Sequence, residues 1–256
     1  MATSDAAGDW ILRTEALVKR FGDFTVIPSL DFRVRRNTVH ALIGPNGAGK
    51  TTVFNLLTKF IPATSGKIYY AGRDITRLSP ADVALLGLVR SFQISATYPE
   101  LTARENVRIA LQRPLGTSLH FWRSDSALSV LDGRADQLLE SVGLRAFADA
   151  RAGDLPYGRK RALEFATTLA LDPDVMLLDE PMAGLTIGDI ERVSELIREA
   201  ARNRTVVMVE HNLSVVAKLS NIITVLARGE VIAEGDYAAI SSNPLVREAY
   251  LGSAYA

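Results

Sequence analysis

The chain has 256 residues, 48% hydrophobic and 23% charged, which fits one large globular domain or one domain with an inserted lobe. Its 29 basic residues balance its 29 acidic ones, so no global charge favours nucleic acid or an anionic membrane surface. With no cysteine there are neither disulfides nor thiolate metal sites, and no apolar run approaches the ~20 residues that span a bilayer.

The opening Met1–Asp9 is polar, with no signal-peptide order and no glycine after the initiator, so a cytosolic protein is expected, held at any membrane by a partner. From Trp10 to Val34 the chain reads as strands, with Leu30, Phe32 and Val34 alternating with charged residues. Val39–Ile43 has the look of a short buried strand. Gly44, Pro45, Asn46, Gly47, Ala48, Gly49, Lys50 and Thr51 then match Gly-x-x-x-x-Gly-Lys-Thr, the phosphate-binding P-loop. Thr51–Phe60 follows with Val53, Leu56, Leu57 and Phe60 at helical spacing. Strand, glycine loop and helix together aim backbone N–H groups and the positive end of a helix dipole at an anion. Lys50 is expected to reach the β- and γ-phosphates and the Thr51 hydroxyl to coordinate Mg²⁺; the nucleotide-binding set runs from Gly44 through Thr52.

Ser65–Asp74 holds a further strand around Lys67–Tyr70, and Thr102-Ala103-Arg104-Glu105 is a capping box that starts a helix near Thr102. Residues 113–124 are loop-like. Leu128, Leu131, Ala135, Leu138, Leu139 and Val142 line a helix that Gly133 interrupts, and residues 158–171 form another. Asp174–Leu178 is a buried strand, Ile190–Ala200 an amphipathic helix and Thr205–Val209 a second buried strand. Ile222–Ala227 and Glu230–Glu234 flank Arg228-Gly229 as a hairpin. The order is β-rich, then βα, then mostly helical, then βαβαβ, an α/β core interrupted by a helical stretch at about 93–165.

Val175–Glu180 is an apolar strand ending in two carboxylates, the Walker B arrangement that accompanies a P-loop. It aims Asp179 at the Mg²⁺ beside Thr51 and leaves Glu180 to polarise a water for attack on the γ-phosphate. Val206–His211 is a similar strand whose closing His211 is expected to emerge on the same sheet edge and touch the γ-phosphate.

With these motifs in order, nearly the whole chain resembles the ATP-binding subunit of an ABC transporter. Gly44–Thr51 looks like its Walker A, and Asp179 and Glu180 like its Mg²⁺ aspartate and catalytic glutamate. His211 looks like its switch histidine, and Phe21 like the aromatic that stacks on adenine. Gln93 falls at the Q-loop glutamine, which serves both the metal and the attacking water. Leu155-Pro156-Tyr157-Gly158-Arg159 stands in the signature position, where Gly158 is implied to meet phosphate. The match departs at Pro156, which replaces the usual serine, at Tyr157, which replaces the first glycine, and at Thr186, where aspartate is common. The Leu-x-Tyr-Gly signature, Ala183-Gly184-Leu185 and the closing Arg247–Gly252 are similar to the branched-chain amino acid uptake group, and to its first ATPase subunit in particular. Relatives in that group also serve urea and short amides.

The resemblance implies a P-loop NTPase of the ABC type with an antiparallel β subdomain and an inserted helical subdomain. It implies one ATP-binding domain over 9–252, its core and β subdomain at about 9–92 and 166–252 and its helical subdomain at about 93–165. It further implies ATP and Mg²⁺ bound between the Walker A of one subunit and the signature of another, identical or paralogous, in a head-to-tail dimer. Permease subunits would hold the dimer at the cytoplasmic face of the inner or plasma membrane, and an external solute-binding protein would act on it indirectly. No nucleic acid is implied. A soluble ABC ATPase of translation or DNA repair fits less well with one domain and zero net charge. A non-hydrolysing nucleotide-binding module fits less well with Glu180 and His211 both present.

Overall fold

Two sheets sandwich a helix that starts at the glycine loop. The computed structural model describes residues 10–91, 97–112 and 129–252. The first sheet is antiparallel: β1 (Trp10–Phe21), β2 (Phe24–Leu30), β5 (Ser65–Tyr70) and β6 (Arg73–Asp74) lie in the order β2-β1-β5-β6, with β3 (Arg33–Arg35) also paired to β1. The second contains β4 (Val39–Ile43), β7 (Leu88–Ser91), β8 (Val175–Asp179), β9 (Thr205–Val209), β10 (Ile222–Ala227) and β11 (Glu230–Gly235) in the order β11-β10-β4-β9-β8-β7. Every pairing in it is parallel except the β10–β11 hairpin at one edge.

Every residue of β4, β8 and β9 is buried, as expected of parallel strands covered on both faces. Their side chains divide with period two. Val39, Ala41, Ile43, Met176, Leu178, Val206 and Met208 join a core with the helices α3 (Ala103–Gln112), α4 (Asp132–Ser141), α5 (Tyr157–Ala170), α6 (Ile187–Ala200) and α7 (Leu213–Leu219). Leu42, Val175, Leu177, Val207 and Val209 join a second core with the antiparallel sheet and the helix α1 (Lys50–Leu57). Helices α3, α4 and α5 pack on one another beside the sheet. Two short helices, α8 (Tyr237–Ser242) and α9 (Pro244–Gly252), end the described chain. No helix among the described residues is long and apolar enough to cross a membrane.

Most expected elements appear close to their expected bounds, and the differences have local causes. The helix after the glycine loop stops at Leu57, short of Phe60, because Lys59 takes a left-handed φ of 64° and Thr58 caps back onto Phe54; Phe60 is therefore half exposed. The Leu128–Val142 helix is a 3₁₀ turn at Ser129–Leu131 followed by α4, while Leu128 lies outside the described residues. Gly133 falls in the first turn of α4, where it does not break the helix. The Thr102–Glu105 capping box forms: Glu105 N–H donates to Thr102 Oγ1 at 3.2 Å, and Thr102 N–H to Glu105 Oε2 at 2.7 Å. Helix α7 is the second helix of the expected βαβαβ order; sequence reasoning missed β7, α8, α9 and the helix α2 (Pro80–Leu85). The last begins on a capping box of its own, Ser79 and Asp82, with Pro80 at its first position.

One polar chain, buried at His40 and Thr224 and exposed at Glu234, runs across β4, β10 and β11. Thr224 donates its hydroxyl proton to Glu234 Oε2 at 2.7 Å, so it accepts one from His40 Nε2 at 2.7 Å. That assigns the proton to Nε2 and leaves Nδ1 buried without a partner, edge-on to Phe32 at 5.0 Å between ring centroids. Burial pushes the His40 imidazole down to about 4 from an ordinary 6.5. Because the folded state resists a proton that the unfolded chain accepts, this site stabilises fully above pH 6.5. Its contribution is lost as pH falls from 6.5 through 4, by about 3 kcal/mol in all. Urea denaturation from pH 7.5 to 4 is expected to show that fall in the wild type and a shallower one in His40→Asn; equal slopes would remove His40 as the cause.

Candidate functional site

The site follows from strand register. Leu42 of β4 pairs with Val209 of β9, and Asp179 of β8 pairs with the same Val209. The carboxyl ends of three buried strands therefore finish at one level, the place where open α/β sheets put their ligands. The loops that leave them carry Gly44–Gly49, Glu180 and His211.

The glycine loop is wedged tightly against its neighbours. A β-carbon on Gly44 would lie 2.0 Å from the Leu226 carbonyl oxygen, so only glycine lets the loop turn there. The β10–β11 turn backs the loop: Gly229 N–H donates to Ala48 O at 2.9 Å. On α9, the Tyr250 phenol hydrogen-bonds with the Gly44 backbone. Helix α1 starts at Gly49, φ 101°, without a side-chain cap, so no side chain competes for the first-turn N–H donors. Lys50 folds over the loop and donates to Gly44 O at 2.7 Å and Pro45 O at 3.0 Å. Burial pushes its ammonium below the usual range, while the Glu180 and Asp179 carboxylates pull it back up.

A cleft of about 320 Å³ brings together Asn46, Gly47, Ala48, Gly49, Lys50, Thr51, Thr52, Glu180 and His211, with Val26 from β2 as a further wall. Glu180 has a left-handed φ of 48°, a conformation that costs a non-glycine residue about 1–3 kcal/mol and clusters at functional sites. It is held there by its own N–H donating to Val209 O at 2.9 Å and by Ala183 N–H donating to its carbonyl at 3.0 Å. Its carboxylate Oε1 stands 3.0 Å from His211 Nε2, a base beside a polar partner at the mouth of a phosphate loop.

Asp179 is 2% exposed. Arg90 on β7 holds its Oδ2 at 2.5 Å and reaches Asn55 of α1 with its other nitrogen, also at 2.5 Å. Asp179 Oδ1 is buried with no hydrogen-bond partner. One unpartnered carboxylate oxygen and a hydroxyl on the cleft at Thr51 suit Mg²⁺, which takes few protein ligands and leaves the rest to phosphate and water. Among the described residues no cluster of three or more histidine or carboxylate side chains offers a fuller cage.

The structure leaves some of the expected residues apart. Gln93 lies outside the described residues. Phe21 is half exposed at the end of β1, with the Lys19 ammonium 4.6 Å over its ring, and does not line the cleft. Gly158 sits in the first turn of α5 against Asp189, likewise off the cleft. Sequence reasoning missed Arg90 and Glu210. Glu210 is 4% exposed and accepts three backbone N–H groups: Met182 at 2.8 Å, His211 at 3.0 Å and Asn212 at 3.2 Å. It joins the segment after Glu180 to the segment that carries His211. A glutamate closing an apolar strand, just before the expected histidine, was the signal available.

The model of the ABC transporter family matches residues 27–183, and that of the branched-chain amino acid ATP-binding cassette transporter matches residues 230–256. The chain is 37% identical to the high-affinity branched-chain amino acid transport ATP-binding protein LivG of Salmonella typhimurium, over 95% of this chain and 98% of that one. It is also 37% identical, at the same coverage, to BraF of Pseudomonas aeruginosa, which carries the same description. An ATP-binding cassette of an ABC transporter, solved in its ADP conformation, superposes with a TM-score of 0.82 at 30% identity, over 95% of this chain and 99% of that one.

Removing the Glu210 carboxylate leaves three backbone donors without their acceptor, that of Met182 in a buried position. Glu210→Ala is expected to lower folding stability by about 2–4 kcal/mol in urea denaturation, with Glu210→Gln in between. A loss below about 0.5 kcal/mol in the alanine variant would show that the three N–H groups find other acceptors.

Proposed function

The chain belongs to the ABC transporter family of ATP-binding subunits, and from that premise we propose that it binds and hydrolyses ATP to power uptake of branched-chain amino acids through partner permease subunits. The observation that carries the hydrolytic reading is the cleft itself. A glycine loop with a buried lysine faces a strained glutamate paired to a histidine, all within one hollow. Urea or a short amide is the alternative solute. The 230–256 match to the branched-chain family and the names of the relatives favour the amino acids.

Phosphoryl transfer to water needs positioning and charge neutralisation more than covalent chemistry. The N–H groups of Asn46–Thr52 and the amino end of α1 bind the phosphates. Lys50 exchanges its two loop carbonyls for phosphate oxygens. Thr51 and Asp179 would hold Mg²⁺, which would supply positive charge against the phosphates, while Arg90 fixes the far oxygen of Asp179. Glu180 takes the proton of the attacking water, and His211 orients the Glu180 carboxylate and faces the γ-phosphate. Gln93 completes the metal and water contacts in this reading, and Phe21 stacks on adenine. Gly158 and the N-terminus of α5 meet the phosphates of the ATP bound to a second, head-to-tail ATPase subunit. The domain spans 9–252, with a helical subdomain at about 93–165 beside a core and β subdomain at about 9–92 and 166–252. Docking to permeases at the cytoplasmic face of the membrane turns closure of the dimer into transport, and the solute is selected by permease and binding protein.

Two variants test this in the assembled complex. Glu180→Gln keeps size and hydrogen bonding but not basicity, so ATP is expected to bind normally while turnover falls ~100-fold or more; wild-type turnover would rule out Glu180 as the base. Lys50→Ala removes charge-assisted contacts to phosphate and is expected to weaken ATP binding ~10-fold or more in calorimetry. Unchanged affinity would count against the phosphate-loop reading.

A further inference from the structure

The positions where the chain departs from the common signature and the segment after Walker B meet in space. Tyr157 opens α5, and its hydroxyl donates to Ala183 O at 3.1 Å. The same hydroxyl accepts from Arg161 Nη2 at 3.0 Å. Arg161 is in turn held by Glu164 at 2.9 Å, on a nearly buried pair of side chains. The ring covers Gly184, where a β-carbon would come within 3.2 Å of Tyr157 Cε1. One residue on, Gly158 lies against Asp189, where a β-carbon would come within 2.4 Å of Cγ. The Asp189 carboxylate accepts from the Thr186 hydroxyl at 2.7 Å, and Thr186 caps α6 by accepting from Asp189 N–H. Tyr157 is thus spent on joining the start of α5 to the segment Ala183–Asp189, and Thr186 on holding the Asp189 carboxylate that Gly158 packs against.

The joint leads to the reacting group. Ala183, whose carbonyl Tyr157 holds, gives its N–H to the carbonyl of Glu180, the residue with left-handed backbone. On the other side Met182 N–H is held by Glu210. The turn after Glu180 is clamped at successive residues, by a carboxylate from the end of β9 and a phenol from the start of α5.

We propose that Tyr157 is a positioning residue for hydrolysis: its hydroxyl fixes Ala183 and so holds the Glu180–Ala183 turn in register with the signature helix of the same subunit. The catalytic half of this inference rests on the proposed ATPase function; the structural half does not. The missing signature serine is then offset by a within-subunit tie, so that the group facing one ATP and the base facing the other move as a unit.

The test is Tyr157→Phe, which keeps the ring and deletes only the hydroxyl. In the full-length subunit, amide hydrogen exchange is expected to quicken at Ala183 and Leu185 on the order of 5-fold, the factor that one net hydrogen bond supplies. Exchange quickens less in the β-strands than at Ala183, and the melting temperature falls by no more than about 4 °C. In the assembled complex kcat is expected to fall by a similar factor, with KM for ATP within twofold. Unchanged exchange at Ala183 overturns the proposal. So does a uniform rise across the chain with a larger fall in melting temperature, since the residue would then be merely structural. A raised KM at constant kcat also overturns it, placing Tyr157 in binding instead. If the wild-type complex does not turn ATP over, the functional reading and the catalytic half fall together, and the exchange measurement alone decides the tie.

Discussion

Parallel register is the constraint on which everything else in this molecule depends. Lys50, Glu180 and His211 come from distant parts of the chain, and they face one cleft because β4, β8 and β9 end level with one another. Those strands are buried on both faces, with alternate side chains committed to two different cores. A slip of one residue would send each side chain into the wrong core, so the hydrophobic pattern that stabilises the sheet also fixes which carboxylate stands beside which loop.

Polar groups around the cleft are fixed by partners within the chain. Lys50 is held by two loop carbonyls, Asp179 by Arg90 and Glu180 by His211, while Glu210 gathers three backbone amides beneath them. Under the proposed function Lys50 must give up those carbonyls for phosphate, while the carboxylates of Asp179 and Glu180 are held in place beforehand, which lowers the cost of reorganisation. The cost of this site is local: a left-handed glutamate and a buried carboxylate oxygen with no partner. Both lie at the carboxyl end of β8, which β7 and β9 flank on either side.

Much of this was legible before any coordinates, for reasons that differ between residues. The glycine loop could be read because its chemistry is carried by consecutive residues at fixed spacing. Asp179, Glu180 and His211 could be read because each closes an apolar run, and strand ends share an edge. Arg90 could not, because its partner Asp179 is brought near only by strand order; Glu210 closes an apolar run too, but its contact with Met182 is not visible in the sequence. Tyr157 shows a further limit. From sequence it is a lost glycine in the signature, and only the Ala183 carbonyl beside its hydroxyl turns it into a contact. Phe60 was misplaced because helical spacing continued past Lys59, whose backbone had already left the helix.

The turn between β10 and β11 has a consequence for how the molecule is made. Leu226 and Gly229 press on Gly44 and Ala48 from a part of the chain synthesised long after them, and Tyr250 follows later still. A nascent chain that has emerged only as far as α1 carries the whole phosphate-binding motif and the Val26 wall, but not Leu226, Gly229 or Tyr250, which back the loop. The backing of the glycine loop is therefore completed only once the chain has been made past Tyr250. Products truncated before β10 bear the full motif without that backing.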